Sequence, residues 1–292
     1  MLNAIEVPAA WKVVQPHRLH GLVMVIGAPD SGKSTFCRYL YAQLLDHQRA
    51  CAYLDGDPGQ AFLGPPTTLS LASGDLEQPR RVWQRFVASI SPRGNMLTML
   101  VAASRLVRKG FRQRAEVILM DTDGLVDPQQ GGLYYKFALI ELLAPQTLCF
   151  LSRENELQPL LNYFQRQNRT SVYHFRAAEA VQTRSLDLRR QYRTQQFAAY
   201  FSNAQQREID WRDLPIWPGP RFFPHQLLAL TDRAGDCLSL AILLDQHTAS
   251  KRLQLLTPLS TLESVAGLHL SRLTLDPQTF QTQFVPNQDS LG

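Results

Sequence analysis

At 292 residues, 45% of them apolar and 19% charged, the chain has apolar surface enough for one or two folded domains, which excludes intrinsic disorder as its main state. No apolar run approaches the roughly 18 residues of a membrane span, and the N-terminus offers no signal-peptide core. A cytoplasmic enzyme without a membrane partner is therefore expected. The formal net charge is +5. Cys37, Cys51, Cys149 and Cys237 are far apart and form no C-x-x-C pair, so they read as buried thiols and not as a disulfide framework or a zinc site.

The first strand is Leu22 to Ile26, a continuous apolar run of the kind found in a sheet covered on both faces. It leads into Gly27-Ala28-Pro29-Asp30-Ser31-Gly32-Lys33-Ser34, which fits G-x-x-x-x-G-K-[ST] at every fixed position. An amphipathic helix from Ser34 to His47 follows. The two glycines let the backbone curl so that its N–H groups point at phosphate oxygens, and the helix N-terminus adds partial positive charge. Gly27, Asp30, Ser31, Gly32, Lys33, Ser34 and Thr35 are thus the nucleotide-binding candidates. In this role Lys33 reaches the β- and γ-phosphates and Ser34 gives its hydroxyl to Mg²⁺. The expected donor is ATP, with GTP as the alternative.

Next comes a strand from Cys51 to Leu54, ending in Asp55-Gly56-Asp57-Pro58-Gly59-Gln60. From Arg80 to Arg114 there are eight Arg, one Lys (Lys109) and no acid. Arginine matches phosphate with a planar fork, so this stretch is a candidate track for a polyanion. It contains a helix expected from Asn95 to Lys109. A strand from Val117 to Met120 ends in Asp121-Thr122-Asp123-Gly124. Ligands of open α/β sheets bind beyond the carboxyl ends of strands, so both acidic ends are expected to face the triphosphate. Ser34, Asp55 and Asp121 are the candidate metal ligands, and one of Asp55 and Asp57 could accept the proton of an attacking hydroxyl. Which carboxylate holds the metal and which acts as base stays open. Asp-Thr-Asp-Gly also fits a GTPase switch, but no Asn-Lys dipeptide follows to read guanine.

Helices are expected over Tyr134 to Leu143, Glu156 to Gln167 and Leu186 to Ser202, and strands over Leu148 to Leu151 and Val172 to Phe175. Alternation of this kind points to an α/β fold, a parallel P-loop NTPase-type sheet flanked by helices. Arg189 and Arg193 stand four apart on one helical face; by spacing alone they read as an exposed, ion-paired helix. Near Leu214 prolines punctuate the chain and short strands follow, at Gln226 to Leu230, Cys237 to Leu244, Leu253 to Leu256 and His269 to Leu275. The expected domains are 1–213, including an Arg-rich helix at about 185–202, and a small β-rich C-terminal domain, 214–292.

Taken together, Gly27 to Thr35, Tyr53 to Gln60 with Gly64-Pro65-Pro66-Thr67, Ser91-Pro92, Asp121 to Leu125 and Arg189-x-x-x-Arg193 resemble the polynucleotide 5′-hydroxyl kinases. The resemblance implies transfer of the γ-phosphoryl of ATP, with Mg²⁺, to a nucleic acid bearing a 5′-hydroxyl, RNA or DNA. It assigns catalysis to Lys33, Asp57, Arg189 and Arg193, the last two as a lid on the triphosphate. Gln60, Thr122 and Gly124 would bind the acceptor, the latter two as a clasp near its 5′ end. Several relatives carry Trp where this chain has Leu125, and only about 20 residues precede the first strand, which suggests a stand-alone kinase. A nucleoside or small-molecule kinase and a nucleotide-loaded adaptor with little turnover are the competing readings.

Overall fold

A computed structural model describes residues 7–177 and 184–285. By compactness the chain divides into two units: residues 1–57, 69–82 and 91–185, and residues 58–68, 83–90 and 186–292.

A mostly parallel sheet has the order β4–β3–β2–β5–β1–β6–β7, and all of it except Thr68 and residues 83–86 lies in the first unit. Its strands are β1 (Gly21–Gly27), β2 (Cys51–Gly56), β3 (Thr68–Ser73), β4 (Arg81–Phe86), β5 (Val117–Thr122), β6 (Thr147–Ser152) and β7 (Ser171–Arg176). Strands β2, β5, β1, β6 and β7 run parallel, and β3 runs antiparallel to β2. The central strands are apolar without alternation because helices cover both faces, so every side chain of Leu22–Ile26 and Val117–Met120 is buried. Those helices are α1 (Lys33–Asp46), α2 (Met96–Arg112), α3 (Gly132–Leu143) and α4 (Gln158–Phe164).

Helix α4 is shorter than the apolar pattern predicts. Pro159 sits in its first turn, and the Glu156 carboxylate accepts the Arg153 and Glu154 N–H groups at 2.7 and 2.8 Å, which holds the preceding residues in a loop. Strands β3 and β4 are absent from the sequence expectation. In β3 small polar residues alternate with apolar ones and both kinds are buried, and β4 opens inside the arginine-rich stretch. Neither has the apolar run that marked its neighbours.

The second unit is an antiparallel sheet of order β14–β13–β10–β11–β12–β8, with β9 paired in parallel to β13. Its strands are β8 (Gln205–Asp210), β9 (Ile216–Trp217), β10 (Gln226–Thr231), β11 (Cys237–His247), β12 (Arg252–Thr257), β13 (Gly267–Leu275) and β14 (Thr282–Phe284). Helix α5 (Leu186–Phe201) belongs to this unit and not to residues 1–185. The reason is packing: Phe197 and Phe201 are buried among Leu227, Leu240, Ile242, Leu273 and Leu275 on one sheet face. Leu228, Leu230, Ala241, Leu253 and Leu268 fill the other face. No helix among the described residues is long and apolar enough to cross a membrane.

Candidate active site

The phosphate loop is a bent link between β1 and α1. Gly32 is left-handed (φ 89°) and Asp30 likewise (φ 55°), which turns the loop back toward its own centre. A Cβ at Gly27 would meet the Leu151 carbonyl of β6 and stand 2.5 Å from Ser31 Oγ, so the first motif position has no room for a side chain. Lys33 opens α1, is 7% exposed, and donates from Nζ to the Ala28 carbonyl at 2.7 Å. Ser34 and Thr35 follow in the first turn, where backbone N–H groups have no intrahelical acceptor and no acid competes for them. Asp30 braces the loop instead of entering it. Its carboxylate accepts the Arg184 N–H at 3.0 Å, and its carbonyl accepts Arg153 Nη2 at 2.7 Å.

Parallel pairing builds the acidic corner. In register, Val25 of β1 faces Asp121 of β5, and Asp121 faces Asp55 of β2. Neighbouring strands lie about 4.8 Å apart, and in-register residues point to the same side, so both carboxylates stand side by side next to the strand that carries the loop. Tyr53, two residues before Asp55, donates to Asp121 Oδ2 at 3.0 Å. Asp121 is buried, and burial raises its carboxyl pKa; Lys33 and the Ser34 and Tyr53 hydroxyls pull it down, while Asp57 pushes it further up. Asp121 Oδ1 and Ser31 Oγ are buried without a hydrogen-bond partner among the described residues. Orphan oxygens of this kind inside a native core mark a place shaped for something else. The Asp55 carboxylate receives the Asp57 N–H at 3.3 Å, which bends the chain directly after β2 and leaves Asp57 half-buried. Asp57 and Lys33 both act on Asp121 and on Lys136, so the predicted base and the predicted phosphate ligand share one electrostatic neighbourhood.

At the end of β5 the Thr122 hydroxyl donates to the Val25 carbonyl at 2.7 Å, so this side chain is engaged with β1. Gly124 lies against the phosphate loop: a Cβ there would be 2.8 Å from Pro29 N. Between them Asp123 is 2% exposed and is held by Tyr135 and Lys136 of α3. Sequence reasoning missed both residues. A lone lysine inside the otherwise apolar run Tyr134 to Ile140 was the available signal, since a cation in a core-facing helix needs a partner.

Gln60, Arg189 and Arg193 fall in the second unit. Gln60 Nε2 donates to the Gly59 carbonyl at 2.8 Å and to the Arg189 carbonyl at 3.4 Å, and Tyr192 Oη donates to the Ala61 carbonyl at 3.0 Å. The 58–68 segment is thereby tied to α5. Arg189 and Arg193 are half-buried on the same face as Phe197, while the exposed ion pair of this helix is Asp187 with Arg190 at 3.5 Å. Arg189 and Arg193 therefore do not lie on a fully exposed face.

The Arg80 to Arg114 stretch is not one continuous track. Arg85 pairs with Asp236 at 3.3 Å. Helix α2 runs back along the sheet and ends where β5 begins, and β5 is parallel to β1. The exposed Arg108, Arg112 and Arg114 thus lie toward the sheet edge opposite the phosphate loop.

The model of the family described as mRNA cleavage and polyadenylation factor CLP1 P-loop matches residues 27–203. Among curated relatives, a polyribonucleotide 5′-hydroxyl-kinase of Pyrococcus abyssi is 25% identical, with 90% of each chain covered. Its counterpart in Pyrococcus furiosus is 31% identical over 63% of this chain, and that of Methanocaldococcus jannaschii 29% over 66%; the match spans about half of either relative (51% and 54%). The solved structure of a wild-type Clp1p–Pcf11p complex aligns with a TM-score of 0.68 at 16% identity, over 88% of this chain and 75% of that one.

Proposed function

The chain belongs to the CLP1 P-loop family, and from that premise we propose that it transfers the γ-phosphoryl of ATP to the 5′-hydroxyl of an RNA or DNA end. The observation that carries this reading is the shared corner of β1, β2 and β5. There a buried lysine, two strand-end carboxylates in register and a third carboxylate on the following bend act on one another.

The loop amides and the α1 N-terminus bind the phosphates, and Lys33 offsets the charge that grows on the transferring group. Asp57 orients the attacking hydroxyl and accepts its proton. Arg189 and Arg193 act as the lid and Gln60 as an acceptor contact.

The donor set also fits Mg²⁺. Ser34, Asp55 and Asp121 would hold it, and Asp121 Oδ1 is an unused buried oxygen. No group of three or more His, Cys, Asp or Glu among the described residues could hold a metal, which suits an ion that takes its remaining ligands from phosphates and water. When bound, Mg²⁺ neutralises phosphate charge and helps to align the γ-phosphoryl.

The test is incubation with γ-labelled ATP and matched 5′-hydroxyl RNA and DNA oligonucleotides, with free nucleosides alongside. Label is expected on the oligonucleotides with wild type, and a loss on the order of 10²- to 10⁴-fold in kcat with Asp57→Asn. Label on nucleosides alone makes the chain a small-molecule kinase. Tight ATP binding without any product makes it an adaptor.

A further inference from the structure

We propose that Lys136 is a positioning residue of this reaction: a buried cation on α3 that fixes the Thr122–Gly124 turn, and with it the acceptor's end, against the phosphate loop. The inference rests on the kinase reading and adds to it a residue outside the phosphate loop, the acidic corner and the lid.

Lys136 is wholly buried (0% exposed) in a helix whose other buried side chains are Tyr135, Leu139 and Ile140. A leucine or methionine would fill the same space without the penalty of taking an ammonium out of water, and replacing buried ion pairs by apolar groups often stabilises a fold. The charge therefore needs a reason other than stability. Its bonds supply one. Nζ lies 2.8 Å from Asp123 Oδ2 and donates to the Asp123 carbonyl at 2.8 Å. Tyr135 Oη donates to the same Oδ2 at 3.1 Å, and Asp123 Oδ1 accepts the Leu125 N–H at 2.8 Å. One side chain of α3 thus holds both the main chain and the side chain of the residue at the centre of the turn.

The turn has no slack on its other sides. Thr122 Oγ1 is anchored to Val25 of β1 at 2.7 Å. Gly124 lies so close to Pro29 that a methyl group would not fit between them, with Pro29 N only 2.8 Å from where it would sit. A shift at Asp123 must therefore be taken up at Gly124 and Pro29. Burial lowers the Lys136 pKa and Asp123 opposes it, while Lys33 and Asp57 also lie within electrostatic reach, the first disfavouring and the second favouring its charge. The strut ends beside the reacting groups and not in a remote part of the core.

The experiment uses the full chain as wild type, Lys136→Met, Lys136→Arg and the double variant Asp123→Asn with Lys136→Met, which removes both charges together. Thermal melting, affinity for a fluorescent ATP analogue, and kcat and KM for a 5′-hydroxyl oligonucleotide at saturating ATP are read for each. The double variant is expected to melt near wild type and to bind the analogue within about twofold. Its acceptor KM should rise, or its kcat fall, on the order of 10- to 100-fold, because displacement by an ångström carries penalties of that size. Lys136→Arg should recover part of the acceptor KM. Unchanged acceptor kinetics in a folded double variant would overturn the proposal. So would equal losses for ATP and acceptor, or a double variant that does not fold, since the pair would then be a structural element only. A wild type that labels no oligonucleotide is a failure of the kinase reading itself and takes this inference with it.

Discussion

The two units bury polar groups of different kinds. In the first, Lys33, Asp55, Asp121, Asp123 and Lys136 are all buried, and every buried Lys, Arg, Asp or Glu among the described residues is in this unit. They cluster at the carboxyl ends of β1, β2 and β5 and on the helix behind. In the sheet of the second unit the buried polar side chains are uncharged: Gln226, Ser239, Thr257 and Ser271. They bond to one another and to the backbone, Ser239 Oγ to Thr257 Oγ1 at 3.1 Å, Gln226 Nε2 to the Ser271 carbonyl at 2.7 Å, and Ser271 Oγ to the Leu227 carbonyl at 2.6 Å. Neutral groups satisfied in this way hold a core together. Charged groups gathered at strand ends beside a phosphate loop are the arrangement expected for a charged ligand. Buried charge is thus confined to the first unit, whereas Arg189 and Arg193 in the second are half-buried.

Lys33→Ala tests that comparison with the largest expected effect. It should remove about 4 kcal/mol of transition-state stabilisation, read as kcat in the labelling assay, and leave the melting temperature nearly unchanged, because the side chain makes a single bond to its own loop. A large loss of stability would mean that Lys33 is a structural cation. Leu240→Ala, at a fully buried position of β11, should do the reverse. It is expected to destabilise by about 3 kcal/mol in denaturant titration while kcat per folded molecule is kept.

The smallest effect is a pH dependence of stability. His269 packs edge-on against Phe86 at 5.1 Å between ring centroids, and burial, then the Arg85 guanidinium, lower its pKa to about 4. A folded pKa below the ordinary 6.5 means that on acidification the unfolded chain takes up a proton before the folded one does. Stability is therefore full above about pH 6.5 and falls as the pH drops toward 4, by no more than about 3 kcal/mol. Melting curves across that window should show the decline, and His269→Gln should flatten it. An unchanged slope in that variant would rule out His269 as its source.

Local signals explain what was legible. The phosphate loop, the strand before it and the helix after it are contiguous, so eight residues state both the geometry and the ligand. The apolar runs of β1, β5 and β6 and the Asp-x-Asp bend after β2 are equally local. Strands β3 and β4 were not legible, because Thr68, Ser70 and Thr-like small polar positions are buried by neighbours that only the assembled sheet supplies. Lys136 was passed over because its partner, Asp123, lies thirteen residues earlier and meets it only through the β5–α3 connection.

Sequence by itself determined the α/β class, the triphosphate loop, the two acidic strand ends and the spacing of Arg189 and Arg193, since each depends on residues adjacent along the chain or one helical turn apart. Tertiary structure decided that Asp55 and Asp121 stand in register beside β1, that Arg189 and Arg193 are half-buried while Arg190 takes the exposed pair, that α5 packs with the antiparallel sheet, and that Lys136 braces Asp123. Those depend on strand order and on which apolar face finds a partner, and both are set by burial across the whole fold and not by any one segment.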